Sequence, residues 1–340
     1  MSRPTMDDVA RRAGVSRALV SLVMNNSSKV SESRRRAVLR AADDLGYRPN
    51  LHARNLAQQR SETFGVVIND IHNPFFAEVL LGIETVADDH GFTVLVLNGG
   101  RDVERERRAV ETHLQFQVEA LILVGPSLTA EDLRAAACVA PTVVVASGST
   151  HCDVDTISTD DLTGAALAVE HLRNLGHTRI VHLDGADNIS AAPRARGYTH
   201  AMQAAGLDPW VKRAGDDEGA AAAPVGELLH SPTPPTAIFA FNDLVAAGTL
   251  DALHTRGIKV PDDMSVVGYD NTFIAGLNHL SITTIDQPRR TMGELAAAAV
   301  IERLDAGRSE PTHIELTPTI EIRNSTGPTP GVDQKRMTVP

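Results

Sequence analysis

The sequence predicts an all-α headpiece at the amino end, followed by a large α/β domain made of two parallel-sheet lobes. Short apolar runs alternate with helical stretches from Phe64 to about Arg323. Continuous apolar strands between helices are typical of parallel sheets that are covered on both faces. A stretch of about 260 residues is long for one doubly wound sheet, which favours two lobes. A single (β/α)₈ barrel is the alternative, because its number of strands is similar.

The predicted elements of the large domain follow from these runs. The strands are FGVVI (64–68), TVLVL (93–97), ALILV (120–124), TVVVA (142–146), RIVHL (179–183), AIFAF (237–241) and SVVGY (265–269). The helices are 74–90, 103–116, 161–175, 191–206, 243–256 and 288–306. The final stretch, TGPTPGVDQKRMTVP (326–340), is rich in proline and glycine, and we expect it to be a disordered tail.

Charge is distributed unevenly along the chain. The net charge is −11, yet residues 1–60 hold 12 Lys and Arg against 5 Asp and Glu. A basic head on an acidic body is typical of a protein that docks one end on phosphate. The two cysteines match neither a disulfide framework nor a metal site, and the chain shows neither a signal peptide nor a long apolar run. We therefore expect a cytoplasmic protein without cofactors.

The amino end has the pattern of three short helices. Thr5 is placed to cap the first helix, and Gly14 allows a turn after it. Ser16 is placed to cap a second helix, and a third is predicted from Ser31 to Leu45. Two short helices joined around a glycine indicate a helix-turn-helix, whose second helix enters the major groove of DNA.

The stretches TMDDVARRAGVSRALVSLVMNN and KVSESRRRAVLRAADDLGYRPNLHARNLA resemble the headpiece of the LacI/GalR (lactose-repressor/galactose-repressor) family. The resemblance implies a DNA-binding headpiece over 1–46, in which Arg17 and Ala18 take the first base-reading positions. It also implies residues that contact phosphates or hold the helix in register. These are Thr5, Ser16, Ser21 and Asn25.

Two residues depart from the family pattern. Leu19 stands where a threonine is usual, and Leu22 stands where an arginine is usual. Leucine cannot make the bidentate contact by which arginine reads guanine. We hypothesise that Leu22, together with Leu19, faces the groove and contacts a thymine methyl group. The alternative is a leucine turned inward with no role in base reading.

Residues 47–61 resemble the hinge helix and linker of that family. Asn50 is placed to cap a helix of about two turns, a length that is marginally stable alone in water. Ala53, Arg54 and Leu56 match the family's A-R-x-L pattern, which implies that Leu56 and its twofold mate wedge into the minor groove. Pairing of two such helices on DNA would act as a switch.

The rest of the chain resembles the effector domain of the same family, which is similar to periplasmic sugar-binding proteins. Segments that carry this resemblance include SETFGVVINDIHNPFFAEVLLGIE, HLRNLGHTRIVHLDG and PTAIFAFNDLVAAGTLDAL. The resemblance implies a domain over 62–325 with two Rossmann-like lobes, joined by three crossovers around a ligand cleft. Lobe 1 would span about 62–158 and 289–320, and lobe 2 about 159–288 and 321–325.

Ligands of open parallel sheets bind beyond the carboxyl ends of the strands, and polar side chains follow several predicted strands here. Phe75 and Phe76 open a helix where a ring can stack on a sugar or a base. Core packing is the alternative for one of the two, and a role in tying the turn is the alternative for Asn242. The full candidate set is Asp70, Asn73, Phe75, Phe76, Ser147, Ser190, Arg194, Asn242, Asp270 and Gln287.

These features favour a homodimeric transcription regulator, expected to be a repressor, that binds near-palindromic operator DNA and a sugar-like effector. A purine or nucleoside effector is the alternative, since Arg194 and the phenylalanines suit it too. An enzyme is disfavoured because no HExxH, GxSxG or P-loop motif occurs, and His177 reads as a turn histidine. A sugar-binding transport protein is disfavoured by the basic head. A dimer is favoured over a tetramer because no leucine heptads follow residue 323.

Overall fold

The computed structural model describes residues 4–24, 27–48, 60–147 and 154–330. The chain divides into two units, one ending at Ser61 and the other beginning at Glu62. The predicted hinge residues Asn50, Ala53, Arg54 and Leu56 lie outside the described residues, as does Asn25. Their roles stay predictions.

The described residues of the first unit form a three-helix headpiece. Its helices are α1 (Met6–Ala13), α2 (Arg17–Met24) and α3 (Glu32–Leu45). The predicted cap of α1 is confirmed: Thr5 and Asp8 form a reciprocal capping box, and Gly14 ends the helix with a φ of 66°. Val9, Val20 and Val38 meet in the headpiece core. Tyr47, which the sequence assigned to the linker, also packs in this core, so the headpiece extends past residue 46.

Lobe 1 is a six-stranded parallel sheet with helices on both faces. Its strand order is β11-β5-β4-β3-β1-β2. The strands are β1 (Thr63–Ile68), β2 (Thr93–Asn98), β3 (Ala120–Val124), β4 (Thr142–Val145), β5 (Asp155–Thr159) and β11 (His313–Leu316). The helices are α4 (Pro74–Asp89), α5 (Val103–Gln115), α6 (Ala130–Ala137) and α11 (Arg289–Asp305). Alternate residues of β3 pack against α4 and α11 on one face and against α5 and α6 on the other.

Lobe 2 repeats this plan with the strand order β12-β10-β9-β8-β6-β7. The strands are β6 (Ile180–Asp184), β7 (Val211–Arg213), β8 (Ala237–Ala240), β9 (Ser265–Asp270), β10 (Thr283–Asp286) and β12 (Thr319–Glu321). The helices are α7 (Asp161–Asn174), α8 (Ala191–Ala204), α9 (Ala222–Leu229) and α10 (Asp243–Thr255), and a 3₁₀ turn spans Glu218–Ala221. Only β12 pairs antiparallel among the described strands of this sheet.

Two open sheets exclude the barrel, and three crossovers join the lobes. The chain passes between the sheets after β5, after β10 and between β11 and β12. The last crossover corrects the predicted boundary, because Thr319 and Ile320 already pair with β10 in the second sheet. All three crossovers lie toward the same edge of the sheets, at β5 and β11 in lobe 1 and at β10 and β12 in lobe 2.

The predicted disordered tail is wrong for residues 326–330. The His177 ring, which was read as a turn histidine, is buried and contacts Thr236 Oγ1, Ser265 Oγ and the carbonyl of Gly327. The backbone N–H of Thr329 donates to the carbonyl of Leu175 at 3.0 Å. Composition could not show these contacts, because their partners lie about 60 to 155 residues away along the chain. Residues 331–340 lie outside the described part.

Helices α4 and α11 of lobe 1 are in backbone contact. A Cβ atom added to Gly82 would lie 2.1 Å from the carbonyl oxygen of Arg290, and one added to Gly293 would lie 2.0 Å from that of Val79. Both distances are far below van der Waals contact, so only glycine permits this approach. The pair therefore locks α4, which carries the predicted ligand-contacting phenylalanines, to α11, which begins just after a crossover.

We predict that Gly82→Ala lowers the free energy of unfolding by about 1–3 kcal/mol, because the helices must separate to admit the methyl group. Urea unfolding at neutral pH measures this change. Gly226→Ala is the matched control: it also lies in a helix, but its added methyl group would meet only the end of the flexible Arg256 side chain. The control should be neutral or slightly stabilising. Equal destabilisation by the two substitutions would contradict the close-contact explanation.

Candidate functional site

The recognition helix α2 presents a face that is free within the headpiece. Ser16 caps it by accepting a hydrogen bond from the N–H of Leu19 at 3.2 Å, as predicted. Arg17 and Ala18 are exposed at its first turn, and Ser21 is half-buried. Arg17 has one acidic neighbour, Asp7, at 3.9 Å, and both side chains are largely exposed. A surface pair of this kind contributes little, so the guanidinium can exchange Asp7 for a nucleic-acid partner.

The two unusual leucines of α2 point in different directions. Leu22 is 41% exposed, so it belongs to the free face. Leu19 is half-buried and packs against the headpiece core, which corrects the expectation that it faces the groove. A helix of eight residues has room for a second inward stripe, and the core that Leu19 packs against also holds Val9 of α1 and Val38 of α3.

In the large domain, a cavity lies between the carboxyl ends of the two sheets, where a ligand is expected. Eight of the ten predicted ligand residues line it: Asn73, Phe75, Phe76, Ser190, Arg194, Asn242, Asp270 and Gln287. The sequence reading missed Asn69, Gly125, Ala146, Asn188, Ile189 and Phe241, which also line it. Most of these residues directly follow a strand, and that position was the signal that could have found them.

The lobe 1 wall is built at the start of α4. Asn73 caps this helix by accepting a hydrogen bond from the N–H of Phe75 at 3.0 Å. The rings of Phe75 and Phe76 meet edge to face, with centroids 5.3 Å apart. Phe76 lies against Gly125, where an added Cβ would come within 2.9 Å of the ring. Both phenylalanines are buried in the lobe 1 core as well as lining the cavity.

Asn69 contributes a buried acceptor to this wall. Its side-chain amide donates to the carbonyl of Gly125 at 2.6 Å. Its Oδ1 atom is buried and has no hydrogen-bond partner among the described residues. An unpaired buried carbonyl destabilises a protein by about 1–3 kcal/mol. A ligand that donates a hydrogen bond to Asn69 Oδ1 would remove this cost, which favours its binding.

The lobe 2 wall is organised around the buried guanidinium of Arg194. Its Nε donates to Asp161 at 2.9 Å, and its Nη1 donates to the carbonyl of Phe241 at 2.8 Å. The rings of Tyr269 and Phe241 lie 3.7 Å and 4.7 Å from the guanidinium carbon. The pKa of Arg194 is raised: burial alone would lower it, but Asp161, Tyr269 and Asp270 together outweigh the burial. Arg194 is therefore a permanent cation at the cavity.

Asp270 lies beside that cation with unusual backbone geometry. Its carboxylate is 3.9 Å from Arg194 Nη1 and accepts a hydrogen bond from Gln287 Nε2 at 2.6 Å. Its φ of 111° is rare for a residue with a side chain, and such strain clusters at functional positions. Burial raises the pKa of Asp270 to about 7, although Arg194 opposes the shift.

Asn242 has its side chain occupied. Its Oδ1 caps α10 by accepting from the N–H of Val245, and its Nδ2 donates to the carbonyl of Asp216. This geometry matches the alternative in which Asn242 ties the turn, although the residue still lines the cavity.

Two predicted ligand residues lie elsewhere. The carboxylate of Asp70 is held by Arg101, with distances of 2.7 Å to Nη2 and 3.1 Å to Nε, and Asp70 is not part of the cavity wall. Ser147 lines a separate cavity of about 120 Å³, next to Thr156 and Arg196. In each case the sequence showed a polar residue after a strand. It could not show the neighbours of that residue in the fold, which come from other segments of the chain.

A larger cavity of about 810 Å³ lies on lobe 2. It is lined by one face of α10 and by residues 257–262, 278–281 and 324–325. Two of these loops directly precede β9 and β10, which places the cavity at the amino ends of the strands. This cavity is larger, but it does not lie at the carboxyl ends of the strands, where the polar side chains of both lobes line the smaller cavity.

No helix in residues 4–24, 27–48, 60–147 and 154–330 is long and apolar enough to cross a membrane. In the same ranges, no group of three or more His, Cys, Asp or Glu side chains is arranged to hold a metal ion.

Two family models match the chain. Residues 5–50 match "Bacterial regulatory proteins, lacI family", and residues 61–325 match "Periplasmic binding proteins and sugar binding domain of LacI family". The regulator GalS of Salmonella typhimurium is 36% identical over 88% of this chain and 89% of its own length. The repressor PurR of Vibrio campbellii is 33% identical over 94% of this chain and 98% of its own.

Solved structures show the same relationship. The lac repressor dimer bound to operator and the anti-inducer ONPF is 29% identical, with a TM-score of 0.84, over 96% of this chain and all of that one. The complex of the transcriptional regulator CelR with cellobiose is 29% identical, with a TM-score of 0.71, over 95% of this chain and all of that one.

The fold and the site define a DNA-binding transcription regulator with its own ligand-binding domain. More narrowly, the chain belongs to the LacI family. This family consists of regulators, which rejects the enzyme alternative.

We predict that Asp270 makes the unfolding free energy fall as pH rises from about 4 to about 7. Its folded pKa lies above the ordinary aspartate value of 3.8, so the native state binds more protons than the unfolded state in this window. The slope for one proton is at most about 1.4 kcal/mol per pH unit.

Asp270→Asn should flatten the slope in urea unfolding measured at several pH values. Asp187→Asn, at an exposed carboxylate, is the control and should leave the slope unchanged. Identical slopes for wild type and Asp270→Asn would refute this.

Proposed function

We propose that the protein is a cytoplasmic repressor that binds a near-palindromic operator as a homodimer, and that a neutral, sugar-like molecule in the cleft changes its DNA affinity. The observation that carries the proposal is the unpartnered Asn69 Oδ1 in a cavity at the carboxyl ends of the strands, on a chain that also holds an exposed recognition helix. One chain thus contains both a DNA-reading face and a cavity with an acceptor that a ligand can bind through a hydrogen-bond donor.

The cavity chemistry supports a neutral ligand. Arg194 and Asp270 are its ionisable lining residues within the described ranges, and they face each other at 3.9 Å. A charged ligand group would have to compete with this buried pair. The remaining lining combines amides with the rings of Phe75 and Phe76, a composition that suits a polyhydroxylated ring. Two solved relatives support this direction, the CelR complex with cellobiose and a LacI family transcriptional regulator from Enterococcus faecium with bound ribose.

A purine or nucleoside is the second candidate. It is favoured by the edge-to-face pair of Phe75 and Phe76, which lines the same cavity as Arg194, since a flat heterocycle stacks on a ring and pairs with a guanidinium. A compound that binds the folded protein raises its melting temperature, so a panel of sugars, nucleobases and nucleosides distinguishes the candidates.

Dimer formation is supported by the solved lac repressor dimer and by the logic of a two-part operator. One helix-turn-helix reads only a few base pairs, and a twofold dimer reads two half-sites about one helical turn apart. In the same scheme, the predicted hinge residues Asn50, Ala53, Arg54 and Leu56 serve the minor groove between the half-sites.

We predict that the full-length chain binds DNA from upstream of its own gene and that Arg17→Ala weakens binding by about tenfold or more, the usual cost of losing a base-reading arginine. Fluorescence anisotropy against salt concentration measures this, and the affinity should fall steeply with salt. Arg213→Gln removes an arginine of lobe 2 whose ion pair with Asp187 is largely exposed, so this control should bind like wild type. No binding to that DNA at low salt would remove the proposal.

We further propose that exposed Leu22 contacts a thymine methyl group, so that the preferred half-site differs from one read by arginine. Sequence selection from random DNA with wild type and Leu22→Arg tests this, and the variant should gain a guanine at one position of each half-site. Leu39→Arg, at an exposed leucine of α3 outside the recognition helix, is the matched control. An unchanged preferred sequence for Leu22→Arg would show that Leu22 has no role in base reading.

A further inference from the structure

A cluster of four charged side chains joins the two lobes beside the ligand cavity. Arg101, in the loop after β2, holds Asp70 of its own lobe through Nη2 and Nε. Its Nη1 donates to Asp216 of lobe 2 at 2.7 Å and to Asp217 at 3.3 Å. We name these residues, Arg101, Asp70, Asp216 and Asp217, the Arg101 cluster.

The cluster spans the edge of the cleft that is farthest from the crossovers. Arg101 follows β2 and Asp216 follows β7, and these strands form one edge of their sheets. The three crossovers lie toward the opposite edge, at β5, β10, β11 and β12. A hinge motion about the crossovers therefore produces its largest displacement at the Arg101 cluster.

Local backbone geometry holds Arg101 in place. Gly100 and Arg101 both have positive φ values, 66° and 58°, and the N–H of Arg101 donates to the carbonyl of Asn69 at 3.0 Å. A left-handed conformation is uncommon for a residue with a side chain and marks a position worth explaining. The explanation here is that Arg101 reaches both lobes while its backbone is tied to a residue of the cavity wall.

The lobe 2 end of the cluster is also bonded to the cavity wall. Asn188 Nδ2 donates to Asp216 Oδ2, and Asn242 Nδ2 donates to the carbonyl of Asp216, both at 2.9 Å. Both asparagines line the cavity. A ligand that moves either asparagine therefore moves the carboxylate that Arg101 holds.

The cavity is too small for a ligand in this arrangement. Its volume is about 40 Å³, whereas pockets for small molecules usually enclose about 300–1,000 Å³. The walls are parts of packed lobes, so most of the extra space has to come from moving the lobes apart. Such a motion stretches the bonds from Nη1 to Asp216 and Asp217 before it affects the two bonds to Asp70.

We propose that Arg101 is a latch that holds the cleft closed in the absence of ligand and releases its lobe 2 partners when the cleft opens. The side chain is one-third exposed and Asp216 about one-quarter, so the bonds are partly shielded from solvent and still sensitive to salt. Closing by the latch opposes ligand uptake and keeps the ligand-free lobes in one arrangement. Only the identity of the ligand in this scheme rests on the proposed function.

The test measures how fast a thiol in the cleft reacts. In a Cys138→Ser, Cys152→Ser background, Ser190→Cys places the thiol on the cavity wall, and iodoacetamide alkylation is followed by mass spectrometry without DNA or ligand. Arg101→Gln should raise the alkylation rate about fivefold or more, and high salt should accelerate the protein with Arg101 but not the Arg101→Gln variant. Arg107→Gln is the matched control, because Arg107 pairs with Asp132 and Glu104 inside lobe 1.

Two further variants protect the test from a folding artefact. Asp216→Asn and Asp217→Asn weaken the latch from lobe 2, and both should accelerate alkylation while the melting temperature shows a folded protein. An unchanged rate in Arg101→Gln, or equal acceleration by Arg107→Gln, would overturn the latch. Failure of DNA binding would affect the proposed function only, since alkylation reports cleft opening by itself.

Discussion

The ligand-binding domain depends on one buried charge, the guanidinium of Arg194. A guanidinium deep in a lobe is costly unless every side of it is paired, and Arg194 meets this demand with Asp161, the carbonyl of Phe241 and the face of Tyr269. These partners come from α7, from the loop after β8 and from β9, so the charge fixes the positions of three segments at once. Asp270 then completes the wall beside it. The lobe 2 side of the cleft is therefore largely preformed.

Within each lobe, close backbone contacts leave little room for internal change. Gly82 and Gly293 bring α4 and α11 together in lobe 1, and in lobe 2 an added Cβ on Gly248 would lie 1.9 Å from the carbonyl oxygen of Glu218. Packed lobes of this kind move as bodies rather than deforming. The three crossovers are consequently the places where motion can occur, and the Arg101 cluster lies where that motion is largest. Ligand size and lobe arrangement are linked by this geometry.

Much of the fold and of the cleft could be predicted from sequence, because both follow from local patterns. Buried parallel strands form continuous apolar runs, and residues just after them, such as Asp270 and Asn242, gather where the strands end. The errors share another cause. Asp70 follows a strand too, yet its carboxylate is hydrogen-bonded to Arg101, which lies 31 residues away along the chain. Residues 326–330 look like a tail until His177 is found to hold them. Leu19 is half-buried against a core that also holds Val9 and Val38, from the helices before and after its own. Pairings between distant segments decided each case.

The most direct measurement is the DNA dissociation constant of the full-length protein with and without a neutral sugar or nucleoside that raises its melting temperature. If occupancy of the cleft sets the lobe arrangement and the lobe arrangement sets DNA affinity, the compound changes the dissociation constant by about 5–150-fold, the usual range of allosteric coupling. Ser190→Met, which puts a longer side chain on the cavity wall, should lose both the melting shift and the change in DNA affinity. A compound that binds the wild-type cleft and leaves DNA affinity unchanged would contradict this coupling.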